Sequence, residues 1–207
     1  LTLLAKNADG YRDLVKLSSW SHTRETYFYN PRIDYEMMRN IDTSNLICLS
    51  GCVMGELQET FLEAIKHIIA IECKTPAEEE KARSKGYEVV RQWAWPRWSS
   101  KLDAQLRAHP DYAMAIDAAI MVMKRYRSMF PEGQYFYELM DHGFVLEQWG
   151  HRHLYSQARR YGIPAVVTND SHYGPVEHKE LHDLLMSMQW KQTFCGSTDT
   201  KRLDICS

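Results

Sequence analysis

The sequence lacks any run of 18 or more apolar residues, which removes a hydrophobic transmembrane helix from consideration. Its most apolar stretch, "AMAIDAAIMVM" (113–123), is broken by Asp117 and runs into the basic "KRYR". A charged-then-apolar leader is also missing from the start. Cysteine is sparse and irregular: Cys48, Cys52, Cys73, Cys195 and Cys206 form an odd set with no repeating interval. That pattern does not support a disulfide framework and points to a reducing compartment. Together these absences predict a cytoplasmic protein with no membrane partner. No sign of charge dominates, since 25 Lys and Arg face 27 Asp and Glu for a net charge of -2. Any nucleic-acid contact would have to come from local patches and not from a global field. The motifs G-x-S-x-G, G-x-x-x-x-G-K-[ST] and G-x-G-x-x-G are all absent. Serine-hydrolase, P-loop and Rossmann chemistry therefore have no support. No internal repeat or low-complexity tract stands out.

What is present is ordinary globular composition, 44% hydrophobic and 25% charged, in a chain of 207 residues. That length buries a real core. "LTLLA" (1–5) reads as a short strand, followed by the turn "NADG" and a helix from Tyr11 to about Trp20, capped by Asn7 or Asp9. Segment 21–36 reads as an aromatic loop, with Pro31 discouraging a continuous helix. "NLICLSGC" (45–52) is a second strand. Leu57, Phe61, Ala64, Ile65 and Ile68 recur at helical spacing within 54–73. Ile116, Ile120 and Met123 do the same within 111–129. "QYFYELMDHG" (134–143) gives a third strand over 135–139, and the apolar run 164–167 a fourth. Helices fill about 146–161 and 176–188. Alternation of strands and helices predicts an α/β layer or barrel of parallel strands joined by right-handed crossovers.

Segment 74–110 differs in character. It is highly charged, then carries Trp93, Trp95 and Trp98 around Pro96. It reads as helical pieces broken at Pro96 and closed by Pro110, forming a helical insertion. Packing of its tryptophans on the body is favoured over a partner-binding or nucleic-acid-binding surface.

The second, third and fourth strands are each followed by chemistry-bearing residues: Cys52, then Asp141 and His142, then Asp170 and His172. In parallel α/β sheets the functional site lies at that C-terminal edge. Cysteine, aspartate and histidine all ligate zinc, and carboxylate with imidazole suits manganese or iron. In an extended strand Asp170 and His172 would point the same way. The competing reading is a loop cap, with Asp turning the backbone and His satisfied by a carbonyl. Cys48, inside its strand, reads as a small buried hydrophobe. His142 reads either as a ligand or as a loop residue before Gly143. His178 and His182 are spaced i, i+4 but lack the intervening glutamate of zinc-binding helices, which favours a structural role. His151 and His153 read as solvated residues on a charged helix.

Six ordered stretches carry a resemblance: "LTLLAKNADGYRDLVKLSS" (1–19), "PRID" (31–34), "LICLSGCVMGE" (46–56), "YFYELMDHG" (135–143), "GIPAVVTNDSHY" (162–173) and "HDLLM" (182–186). Together they resemble the PHP (polymerase and histidinol phosphatase) domain of bacterial replicative DNA polymerase III alpha subunits. The resemblance implies a distorted seven-stranded (β/α) barrel whose C-terminal rim binds zinc or manganese. By motif, Cys52, Asp170 and His172 match three of the family's nine metal ligands; the other six would lie upstream of Leu1. The resemblance thus implies an internal fragment of a polymerase alpha subunit. Residues 1–207 would be a partial PHP domain lacking its first strands, with 74–110 inserted and 188–207 beginning a linker toward the polymerase core. A complete domain would carry metal-dependent 3′–5′ exonuclease or phosphoesterase activity, with DNA and other replicase subunits as partners. The fragment alone would hold no complete catalytic set, so no catalytic residue is assigned. The alternatives are a non-catalytic scaffold for the polymerase and a free-standing phosphoesterase such as a histidinol-phosphate phosphatase.

Overall fold

A computed structural model describes residues 1–27 and 29–189, in two compact units, 1–167 and the residues from Thr168 onward. In the first unit, β1 (Thr2–Ala5) leads into α1 (Ala8–Ser21). Asn7, not Asp9, caps this helix: its side-chain oxygen accepts the Gly10 N–H at 2.9 Å. A loop, the short α2 (Tyr35–Arg39) and a 3-10 turn then lead to β2 (Leu46–Leu49). α3 (Glu56–Ile69), β3 (Ile71–Glu72), α4 (Pro76–Ser84), β4 (Glu88–Val90), β5 (Trp93–Trp95), α5 (Ser100–Ala108) and α6 (Pro110–Met129) follow. β6 (Tyr135–Leu139), α7 (Val145–Arg160) and β7 (Ala165–Val167) complete the unit.

Four strands form one sheet in the order β1-β2-β6-β7. The three successive neighbours β2, β6 and β7 are parallel, with Cys48 opposite Tyr135 and Tyr137 opposite Ala165. β1 departs from the all-parallel expectation. It runs antiparallel to β2, with Thr2 opposite Leu49. The reason lies in the connection: a single crossover helix returns a chain in parallel, whereas α1 is followed by a long loop and α2, so the chain enters β2 from the other end. The fold is thus mixed α/β with a partly parallel sheet.

The core lies between this sheet and α3, α6 and α7. Leu57, Phe61 and Ile65 of α3 pack with Ile116, Ala119 and Met123 of α6, and with Trp149 and Leu154 of α7. Ala64 and Ile68 line the margin of the same face.

Segment 74–110 is not helical throughout. α4 begins with a capping box in which Thr75 and Glu78 bond reciprocally. After it β4 and β5 form an antiparallel hairpin, with Val90 opposite Trp93, and β3 joins the far side of β5. Arg91 and Gln92 make the turn with φ of 48° and 68°. Such left-handed pairs usually contain Asn-Gly, so the sequence carried no hairpin signal here. The tryptophans pack: Trp95 is buried, and Trp93 and Trp98 lie partly buried against the core. Lys66 lies 5.2 Å from the Trp93 ring centre and Arg152 3.8 Å from that of Trp98. α5 ends at Ala108, just before Pro110, and Pro110 itself begins α6, where its missing N–H costs nothing.

His151 and His153 also depart from expectation, because neither is solvated. His151 bonds the Tyr137 hydroxyl and the Met140 carbonyl, at 3.0 and 2.9 Å. The His153 side chain is fully buried, stacked on Trp149. Its Nδ1 lies 2.9 Å from the Tyr112 hydroxyl, which accepts from Arg107 and so donates to the ring. Its Nε2 is 3.1 Å from Asp103, an electrostatic pair aligned too poorly for a hydrogen bond.

Burial, with Arg107 nearby, pushes the His153 pKa down from 6.5 to about 4. Between these values the unfolded chain takes up a proton that the folded chain refuses, so stability falls as pH falls through this window. The loss should approach about 3 kcal/mol. Urea unfolding between pH 7 and pH 4 should show it, and His153→Gln should flatten that component of the slope; an unchanged slope in the variant would contradict the assignment.

Candidate metal centre

The inner strands β2 and β6 are parallel neighbours, so their C-terminal ends emerge at one edge of the sheet. At the end of β2 the chain turns sharply through Ser50, Gly51 and Cys52. The Ser50 N–H donates to the Phe136 carbonyl at 2.9 Å, prolonging the pairing with β6. Gly51 has a φ of +88°, a conformation that favours glycine, and a Cβ there would meet the Leu1 nitrogen at 2.9 Å. Cys52 is a free, half-buried thiol, and its carbonyl accepts the Gly55 N–H at 2.8 Å just before α3.

A carboxylate that sequence reasoning passed over sits directly behind this turn. Glu138 of β6 is buried, 3% exposed, and its Oε2 accepts the Gly51 N–H at 3.0 Å. Its own N–H donates to the Ser50 Oγ at 2.9 Å. A glutamate inside the apolar run "YFYELM" was the available signal, because a buried carboxylate needs a partner.

Asp141 and His142, after β6, form a local cap. The Asp141 carboxylate accepts the Gly143 N–H at 3.1 Å. Glu147, buried in α7, accepts both the His142 N–H at 2.8 Å and a bond from its Nδ1 at 2.7 Å. Both residues thus make local contacts within the loop that ends β6. Cys48 is a fully buried hydrophobe, and burial pushes its thiol up to about 12.

In the second unit, Asp170 and His172 follow β7 in a loop, because the strand ends at Val167. Their proximity therefore comes from a loop contact and not from strand alternation. His172 Nδ1 bonds the Asp170 main-chain carbonyl at 3.0 Å and lies 3.9 Å from the Asp170 carboxylate. A 3-10 turn (Val176–His178) leads to α8 (Lys179–Gln189). His182 of α8 is near His172: the two ring centres are 5.8 Å apart, at 67°. Tyr173 lies 5.4 Å from the same His182 ring.

Thiol, carboxylate and imidazole are each donor types that zinc accepts, and Cys52 offers the first in one unit while Asp170 and His172 offer the other two in the second. A carbonyl acceptor on Nδ1 makes that nitrogen the protonated one in a neutral His172 ring and leaves Nε2 with its lone pair. Among the described residues no three His, Cys, Asp or Glu side chains converge as a metal cage. Cys195, Cys206 and all but the first two residues of the expected linker, 188–207, lie outside the described residues.

Comparison with known proteins decides the relationship. A PHP domain family model matches residues 1–94, which include β2 and Cys52. The DNA polymerase III subunit alpha of Treponema pallidum is 31% identical over 98% of the chain, a span that is 13% of that protein. The chain resembles the PHP-domain region of DNA polymerase III alpha subunits. The subunit of Deinococcus radiodurans is 28% identical over 97% of the chain and 11% of its own length. That of Thermus aquaticus is 28% identical over 93% of the chain and 12% of its own length. The chain therefore spans about one-eighth of the length of these relatives. The matches to these subunits extend past residue 94 and through the loop of Asp170 and His172.

Alkylation separates the two cysteines of β2 and its turn. Near pH 8 iodoacetamide should modify Cys52 while Cys48 stays unmodified over the same interval, since only the thiolate reacts. Peptide mass spectrometry reads both sites, and equal labelling would contradict the burial and raised pKa of Cys48.

Proposed function

We propose that this chain is part of a bacterial replicative DNA polymerase III alpha subunit. In this reading it contributes to a PHP domain with metal-dependent 3′–5′ exonuclease or phosphoesterase activity when complete. The observation that carries the reading is the alignment of nearly the whole chain with such subunits, with a PHP family match over its first part. The complete domain would be a distorted seven-stranded barrel, with β2, β6 and β7 among its parallel strands and 74–110 an insertion into it. DNA and the other replicase subunits would be the partners, and the cytoplasm the location. No helix among the described residues is long and apolar enough to cross a membrane.

Cys52 in the first unit, and Asp170 and His172 in the second, would each serve as ligands to divalent zinc or manganese, with the remaining ligands from outside this chain. The metal, when bound, supplies Lewis acidity for attack of water on a terminal phosphodiester. The residues here contribute position. His172 presents Nε2 because its Nδ1 is tied to the Asp170 carbonyl. Asp170 adds negative charge beside it, which favours a cation. Cys52 adds a soft donor at the turn that ends β2.

Metal content of the natural full-length protein, measured by mass spectrometry, tests the reading. Asp170→Ala and His172→Ala should each reduce bound metal affinity by about tenfold or more, with exonuclease activity falling in parallel. Unchanged metal and activity in both variants would rule out the site and leave the domain as a support for the polymerase.

A further inference from the structure

We infer that Glu138 is the positioning residue that fixes Cys52 as a metal donor. The inference rests on the metal-site reading above and deepens it. Its basis is the contact between the ends of β2 and β6. The Glu138 carboxylate accepts the Gly51 N–H at 3.0 Å, immediately before Cys52, and the Glu138 N–H donates to Ser50 Oγ at 2.9 Å. The two strand ends therefore grip each other from both sides.

The rest of the turn has little freedom. The Gly51 backbone adopts φ +88° with no room for a side chain. On the far side, a Cβ at Gly55 would meet the Ser50 and Cys52 carbonyl oxygens at 2.9 and 3.0 Å. The Gly55 N–H in turn donates to the Cys52 carbonyl at 2.8 Å. Cys52 thus lies between two clamped backbone points, and the Glu138 carboxylate accepts the Gly51 N–H at the first of them. A glutamate here has no apolar reason to be 3% exposed within a packed strand. A carboxylate bonded to a backbone N–H holds that peptide more firmly than a neutral acceptor does. Removing it frees the Ser50–Gly51 peptide, which directly precedes the Gly51–Cys52 peptide and sets the path of the chain into Cys52. Glu138 touches no reacting atom; its effect passes through the Gly51 peptide.

Two readouts in the natural full-length protein test this. The first is the rate of Cys52 alkylation, followed on its own peptide, with buried Cys73 as the internal control for folding. The second is the cadmium–thiolate charge-transfer band, titrated with cadmium alone. Glu138→Ala should change the Cys52 alkylation rate by about tenfold, leave Cys73 protected, and weaken cadmium binding by about tenfold. Glu138→Gln keeps an acceptor oxygen and should restore most of both. If Glu138→Ala exposes Cys73, the fold itself has failed and Ser50→Ala decides, with a smaller shift of Cys52 in the same direction expected. A folded Glu138→Ala or Ser50→Ala protein with an unchanged Cys52 rate overturns the inference. If Cys52→Ala leaves the cadmium titration of the parent unaltered, the metal reading fails while the alkylation arm still judges Glu138.

Discussion

Parallel pairing of β2 with β6 is the constraint on which the candidate site in the first unit depends. Cys48 opposite Tyr135 sets the register, and two residues later Ser50 bonds the Phe136 carbonyl. A slip of one residue would reverse which side chains face the core. It would also take the Glu138 carboxylate away from the Gly51 N–H. The register is therefore held from both directions, by the apolar faces of the strands and by one polar clasp at their ends.

The clasp also explains why a charged residue is tolerated in so packed a strand. Burying an ionised carboxylate alone is strongly unfavourable, and the favourable balance comes from hydrogen bonds made to it. Glu138 meets that condition through a backbone N–H whose residue is a glycine with left-handed φ. His153 offers a contrast in the same unit: its burial lowers its pKa and keeps it neutral, so helices α5, α6 and α7 meet around an uncharged ring.

Much of the architecture was legible in the sequence because amphipathic periodicity is a local property. Leu57, Phe61 and Ile65, and Ile116, Ile120 and Met123, marked α3 and α6 by spacing alone. The hairpin of β4 and β5 was hidden because each strand is three residues long and the turn uses Arg91 and Gln92. The antiparallel run of β1 was hidden because it depends on the path of a long connection. Cys52, Asp170 and His172 were legible as donor residues beyond strand ends, and of the two readings of the Asp170 and His172 pair the loop cap, with His satisfied by a carbonyl, is the one that the His172 bond to the Asp170 carbonyl matches. His153 was misread because charged neighbours on α7 masked a face that packs on Trp149 and Phe61. Glu138 escaped notice since its partner, the Gly51 N–H, is distant in sequence and visible only once β2 and β6 pair.

The central claim is that the Cys52 sulfur ligates a metal at the rim of a PHP domain. X-ray absorption of the zinc-loaded natural full-length protein addresses it directly. The account predicts a sulfur scatterer at about 2.3 Å beside nitrogen and oxygen neighbours, lost on Cys52→Ser. A spectrum with only nitrogen and oxygen neighbours, identical in the wild type and the variant, would contradict it.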